Sequence, residues 1–358
     1  MLLQTLFILF ILFLGIESAF AQPAPQQASS IFNPNISVVG NGLAFMGNDA
    51  TLPNRRFSLN EVELGFNAPI DPFVRGDFYV AFGEGRVEVE EGYFTWLVAP
   101  GGGMLKAGRF RSGVSPFNKI HPPETAFADR PRVTQLYFGD EGLVGNGISL
   151  SYLLPFPFTY AEWILEITDV WEGASLFGET DSNGNLVAGG GREKTAYLTR
   201  LASFADLTDA LSISGGMTYA MGPTNADWSR GAQLTGVDVR LKYAEPSRTQ
   251  YFGWDWKTEL FLANKQQTAA NIQARGLFSH LELRLGRSWW FGGRVDHVEP
   301  LDGSAVYQAG LAYMTFATSE FQAISLQGRL APGPAPGPDT AIFLKWTVSM
   351  GPHPVHTF

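Results

Sequence analysis

Along most of the chain, apolar and polar residues alternate one for one. In the segment Thr235–Ala244, Val237, Val239, Leu241 and Tyr243 share one face, and Asp238, Arg240 and Lys242 share the other. Trp254, Trp256, Thr258, Leu260 and Leu262 oppose Asp255, Lys257 and Glu259. Leu277, Leu281, Leu283 and Leu285 oppose His280, Glu282 and Arg284. Near the end, Ile342, Leu344, Trp346, Val348 and Met350 oppose Phe343, Lys345, Thr347 and Ser349. A period of two marks strands with one apolar face. Such segments run from Asn35 to Met350 and predict roughly sixteen strands of about 10–14 residues, with fourteen or eighteen left open.

Alternation alone fits a soluble sandwich as well as a membrane barrel. Link lengths separate the two. After even-numbered segments the links are short: Pro69–Asp71, Ala99–Gly102, Pro155–Pro157, Asp206–Asp209, Glu245–Gln250, Arg287–Ser288 and Thr318–Ser319. After odd-numbered segments most are longer, including Ser112–Leu143, Glu172–Glu193, Pro223–Arg230, Lys265–Ala274 and Ala331–Asp339, with Gly83–Gly85 the short exception. Short turns on one rim and long loops on the other are the habit of outer-membrane barrels. The expected fold is therefore all-β, a transmembrane antiparallel β-barrel with both termini on the short-turn, periplasmic rim.

Composition moves the picture the same way. Charged residues make up 16% of the 358, beside 40 glycines and 13% aromatics. A barrel places apolar side chains outside, toward lipid, so it needs few charges. The run Leu6–Ile16 is apolar apart from Gly15 and too short to cross a bilayer core of about 30 Å as a helix. Ala19-Phe20-Ala21 follows it as an A-x-A cleavage site. Residues 1–21 thus read as a signal peptide, 22–34 as a periplasmic linker, 35–350 as the barrel and 351–358 as a periplasmic tail. The formal charge of −9 becomes −8 once Glu17 leaves with the signal, and no cysteine is present.

Several runs resemble one family of bacterial outer-membrane porin-like proteins, distantly similar to phosphate-selective porins. They are NEVELGF (Asn60–Phe66), VEVEEGY (Val87–Tyr93), LKAGRF (Leu105–Phe110), His121-Pro122, Asp129-Arg130-Pro131, FGDEG (Phe138–Gly142), SWWFGGRVD (Ser288–Asp296), Ser319-Glu320-Phe321 and the tail MGPHPVHTF (Met350–Phe358). Some members carry the label zinc-regulated TonB-dependent receptor. That label conflicts with a linker of about ten residues where a plug domain would sit. The resemblance implies an aromatic C-terminus, here Phe358, read by the barrel-insertion machinery, and a homotrimer as the oligomeric state.

Candidate chemistry concentrates in the third long link. Between Lys106 and Arg132 the bases are Lys106, Arg109, Arg111, Lys119, Arg130 and Arg132, against Glu124 and Asp129 only, a local +4 in an acidic protein. Glu84, Glu88, Glu90 and Glu91 cluster just before. Facing rows of charge set ion selectivity in pores. Arg109, Arg111, Arg130 and Arg132 are therefore the expected basic side of a constriction, with Glu88 and Glu90 opposite. The plainer reading is a solvated loop stapled by ion pairs. Arg75, Asp77, Arg240, Lys242, Glu259, Arg284, Arg294 and Asp296 lie opposite the apolar stripes and read as lumen charges paired across strands. Tyr93, Trp96, Trp163, Trp171, Trp254, Trp289 and Tyr313 read as interface girdle residues.

His353 and His356 lie among prolines without a neighbouring carboxylate or thiol, so no metal is expected there. Ser279-His280 and Asp296-His297 are adjacent on strands and point to opposite faces, so neither can form a catalytic pair. No enzyme activity, cofactor or nucleic-acid partner is expected. The expected function is an outer-membrane porin-like channel for passive diffusion of ions or small hydrophilic solutes, anion-preferring at the basic loop. The alternative is a structural or ligand-binding surface barrel whose loops plug the lumen. The lipid of the outer membrane is the expected surrounding.

Overall fold

The computed structural model describes residues 34–48, 56–83, 85–99, 101–157, 159–169, 174–180, 186–187, 195–225, 229–268, 270–332 and 338–351. The expected signal peptide, most of the expected linker, the tail histidines and Phe358, and Trp171 lie outside these residues. Sixteen antiparallel strands close into one barrel. They are β1 (Asn35–Gly47), β2 (Phe57–Pro69), β3 (Val74–Gly83), β4 (Arg86–Ala99), β5 (Gly103–Arg111), β6 (Val144–Leu154), β7 (Tyr160–Asp169) and β8 (Thr195–Asp206). The second half comprises β9 (Leu211–Pro223), β10 (Gly231–Ala244), β11 (Phe252–Gln266), β12 (Asn271–Leu285), β13 (Trp289–Val298), β14 (Tyr307–Ser319), β15 (Gln322–Pro332) and β16 (Pro338–Met350). Each strand pairs with its sequence neighbour, and β1 meets β16 in a register that sets Ala44 against Leu344.

The closed ladder leaves no edge, which is what a sheet needs to satisfy its backbone inside lipid. No helix among the described residues is long and apolar enough to cross a membrane. The apolar stripes point outward. Leu281, Leu283, Phe291, Val295, Leu330, Leu344 and Trp346 are all exposed at mid-strand. A soluble surface rarely carries a continuous apolar belt of that extent, so the belt is the lipid face. Trp96 and Trp163 are exposed near the short-turn rim, while Trp254 stacks on Tyr243 there. Tyr93 and Tyr313 depart from the girdle expectation. Tyr93 lies under the Lys106 ammonium at 4.2 Å, and Tyr313 is buried against Glu282 and His280, both on the inner wall.

The loop pattern follows the sequence reading with one adjustment. β11 continues to Gln266 and β12 begins at Asn271, so the sixth long-side link is only a tight turn closed by Gln267 N–H donating to the Ala270 carbonyl. The third long loop, residues 112–143 (L3), does not stay on the rim. It folds into the lumen and carries two short 3-10 turns, Phe117–Lys119 and Pro122–Glu124, and one helix, α1 (Arg132–Phe138). Gly139 ends α1 at φ 91°, a left-handed value that only glycine takes without strain.

Candidate functional site

L3 starts beside the wall it leaves. Ser112 Oγ and the Gly113 N–H both donate to Glu166 on β7, at 2.5 and 2.9 Å. The loop then crosses the lumen. The Val114 carbonyl accepts from Thr218 on β9 at 2.9 Å, and the Phe117 N–H donates to Glu259 on β11 at 2.9 Å. His121 turns back to β2 and β4. Lys345 of β16 donates to the Thr125 carbonyl at 2.7 Å and Gln327 of β15 accepts from the Ala128 N–H at 2.9 Å. Asp129 accepts from Arg294 of β13, from Gln327 and from Arg329 of β15. Finally the Arg132 N–H donates to Asp296, and Tyr137 Oη donates to the Glu299 carbonyl at 2.9 Å. L3 is thus fastened around nearly the whole circumference.

One side of this crossing is a charge network. Between Tyr79/Glu91 and Val80/Val89 the β3–β4 register shifts, leaving Glu90 as an extra residue. Such a bulge breaks strict alternation. Glu90 and Glu91, adjacent in sequence, are both buried on the inner side. His121 sits between them. Its Nδ1 lies 2.5 Å from Glu63 and 2.9 Å from Glu90, and its Nε2 lies 2.8 Å from Glu91. Burial and the Arg111 charge push the imidazole toward neutrality, but the three carboxylates outweigh them and hold its pKa well above the ordinary value. Arg111 Nη2 pairs with Glu90 at 2.7 Å, and its backbone N–H donates to Glu91 at 2.8 Å. Arg111 also donates to the Glu141 carbonyl as L3 returns to the wall.

The other side is dry. Val114, Phe117, Phe127, Val133, Tyr137, Phe138 and Leu143 of L3 pack with inward residues of β8 to β14, among them Leu198, Leu234, Phe261, Phe278, Val298 and Leu311. Leu176 and Phe177 of the fourth long loop join this core, and Ser175 Oγ donates to the Leu136 carbonyl. At Gly276 α1 packs tightly on the wall, since a methyl there would overlap Val133. Every strand contributes a buried inward side chain at this height, from Asn41 on β1 to Lys345 on β16. Below it, toward the short turns, inward side chains are partly exposed. Arg240 holds Asp255 through two bonds of 2.9 and 2.7 Å, Lys257 lies 3.1 Å from Asp255, and Lys106, Lys242 and Arg284 are accessible.

The six sequence-derived constriction residues are distributed unevenly over this frame. Arg111 and Glu90 are buried and in direct contact. Arg109 Nη2 lies 3.7 Å from Glu88, and its Nε donates to the Val89 carbonyl, away from Arg111. Arg130 is buried over the Phe117 ring at 5.2 Å, with burial and Arg111 lowering its pKa to about 10. Arg132 lies over Tyr307 at 5.4 Å and bonds Gln135. Acids and bases here are neighbours, not rows facing across a gap. His121, Glu63 and Glu91 belong to the Arg111 network, and Glu166 anchors the start of L3; none of the four was among the expected constriction residues. The expected pairing of lumen charges across strands is seen for Arg240 with Asp255, at 2.7 Å, whereas Arg75 pairs with Asp77 and Arg294 with Asp296 along a single strand, at 2.7 and 2.8 Å.

No family model matches the chain. A protein of Aquifex aeolicus (strain VF5), described as uncharacterized, is 31% identical over 214 residues, which is 58% of this chain and 42% of that relative. The match thus spans less than half of the relative's length. Among solved structures, the chain is similar to OprB of Pseudomonas putida, with TM-score 0.58, 11% identity, and 89% of this chain and 94% of that chain covered. It is also similar to the outer membrane channel DcaP of Acinetobacter baumannii, at 0.57 and 11%, over 89% and 96% of the two chains. An anion-selective porin from Comamonas acidovorans aligns at 0.55 and 10%, over 88% and 98%. At these identities the likeness is one of fold: an outer-membrane-type barrel.

Proposed function

We propose that the protein is an outer-membrane, porin-like channel for ions or small hydrophilic solutes in which L3 is the gate. One observation carries this reading. A barrel of sixteen strands is wide enough for an aqueous channel, and here a wet, charged vestibule on the short-turn side ends at a layer where L3 meets the wall all round. In this reading L3 sets the width available to solutes, and its movement would widen the path. Structural neighbours that are themselves a porin and an outer membrane channel are consistent with the reading.

An anion preference belongs to the same proposal. On the vestibule wall formed by β10 to β12, Arg240, Lys242, Lys257 and Arg284 outnumber Asp255 and Glu282. Arg109, Arg111, Arg130, Arg132, Glu88 and Glu90 would act on permeant ions once L3 has moved, because in the fastened arrangement Arg111, Arg130 and Glu90 are buried. The chemistry asked of the protein is electrostatic and needs no catalytic residue or cofactor. A homotrimer in the outer membrane, with insertion directed by the C-terminal strand and Phe358, completes the proposal.

The extent of the L3 contacts also favours a second reading, a surface barrel whose lumen stays plugged. Planar-bilayer recording separates the two. Wild-type protein is expected to give small or intermittent steps, and a variant with residues 115–135 replaced by a short Gly/Ser linker is expected to give large steady ones. Silence from wild type under every voltage and pH tried, with an open pore only in the deletion, would leave the plugged barrel as the function.

A further inference from the structure

Beside the Arg111–His121 network lie oxygen atoms that the network does not use. Glu61 on β2 is buried, and its Oε1 has no hydrogen-bond partner. Directly across the β1–β2 ladder, Asn41 is 2% exposed, and its Oδ1 is also without a partner. Side chains directly opposite on one face of a ladder are within contact of each other. One carboxylate oxygen each from Glu61, Glu90 and Glu141 lies within 4.8 Å of the other two. Two oxygens bound to one ion at 2.3–2.6 Å are at most about 5 Å apart, so the three are already at ligand spacing.

The charge balance points the same way. Glu61, Glu63, Glu90, Glu91 and Glu141 are gathered around Arg111, Arg130 and the His121 ring. With Lys345 also close to Glu61, carboxyl groups still outnumber cationic ones there, and buried negative charge without a counterion is costly.

We propose that Glu61, Glu90 and Glu141, with Asn41 Oδ1, form a binding site for a hard divalent cation of the calcium class. The ligands are all oxygens, which selects calcium or magnesium over softer ions. A second grouping, Glu63, Glu90 and His121, has metal spacing too. It is set aside because both ring nitrogens of His121 already face carboxylates, leaving no lone pair for a metal. On the carboxylates of Glu90 and Glu141, the Arg111 guanidinium meets the Oε2 atoms, at 2.7 and 3.5 Å. Glu141 is half exposed and gives the ion a route in from the loop side. The bound ion would tie the returning end of L3 to β2 and β4. The site stands whether or not the lumen conducts.

The test uses the full-length folded protein in detergent micelles, stripped with EDTA and titrated calorimetrically with Ca2+, Mg2+ and Zn2+. Folding of each variant is verified by heat-modifiable gel migration. Wild type is expected to bind one Ca2+ per chain, and Glu61→Gln and Glu141→Gln are each expected to weaken it at least tenfold. Glu61→Gln keeps the size and polarity of the side chain and Glu141 is partly solvated, so both variants are expected to fold. Calcium should also slow protease cleavage within L3 in wild type and not in the two variants. Absence of Ca2+ binding by wild type overturns the proposal, and so does binding that both variants retain at full strength. Zn2+ bound in preference to Ca2+ overturns the hard-cation assignment.

Discussion

Arg294 and Asp129, 165 positions apart, are joined twice: Nη1 donates to the Asp129 carbonyl at 2.9 Å and Nη2 lies 3.3 Å from its carboxylate. The guanidinium is almost wholly buried and also lies over the Phe127 ring at 4.4 Å. One strand side chain thus holds L3 by its backbone, its charge and its core at once. Removing one partner of a buried pair typically costs about 3–5 kcal/mol. Arg294→Met is expected to leave the barrel folded but release the far arm of L3. Limited proteolysis in micelles should then cut between residues 122 and 136 at least tenfold faster, and channel conductance should rise.

Acid is expected to act at the same joint. Burial raises the Asp129 pKa, but Arg294, Arg329 and the bond from Gln327 outweigh it and hold the group below the ordinary 3.8. A carboxylate with a depressed folded value stabilises fully above its unfolded value and loses that contribution as pH falls through the folded one. The hold of Asp129 on L3 should therefore be flat from pH 5 to 8 and fail only below about 3.8. Conductance recorded on stepwise acidification should rise in that range, and Asp129→Asn should abolish the step.

At Gly276 the constraint is steric. α1 lies so close to β12 there that an added methyl overlaps Val133. Overpacking of this kind costs about 1–3 kcal/mol. Gly276→Ala is expected to displace α1 with the barrel intact, and hydrogen exchange should report faster exchange at Val133–Phe138 with β12 unchanged.

The outer belt gives a depth-dependent test. Leu344, exposed at mid-strand, faces lipid, whereas Thr347 turns toward the vestibule. A charge at the bilayer midplane on the lipid side costs about 2–4 kcal/mol. Urea titration of folding into vesicles should show that loss for Leu344→Arg and little change for Thr347→Arg.

Much of this architecture was legible in the chain, for reasons that also explain the gaps. Lipid outside and water inside impose strict alternation where both are present, and the lower halves of β10, β11 and β12 show it. In their upper halves Leu234, Phe261 and Phe278 occupy inward positions, because L3 and not water lies opposite. The apolar–polar contrast fades there, and that weakening was the readable sign of a filled lumen. Glu90 and Glu91 were harder. A period of two assigns adjacent residues to opposite faces, and the bulge that puts both inside has no local mark in VEVEEGY. The basic character of L3 was visible as composition. Its partners, such as Glu166, Glu259, Arg294 and Lys345, lie up to 220 positions from the L3 groups they hold, beyond any local pattern.

L3 is gripped from both lips of the seam where the chain's first and last strands meet. Lys345 of β16 holds it on one side, and the first hairpin reaches it through Glu63 on the other. The β1–β16 ladder therefore carries both holds, and the two ends of the barrel's chain steady the loop between them. A lesion that opens this seam would thus loosen L3 from both sides at once.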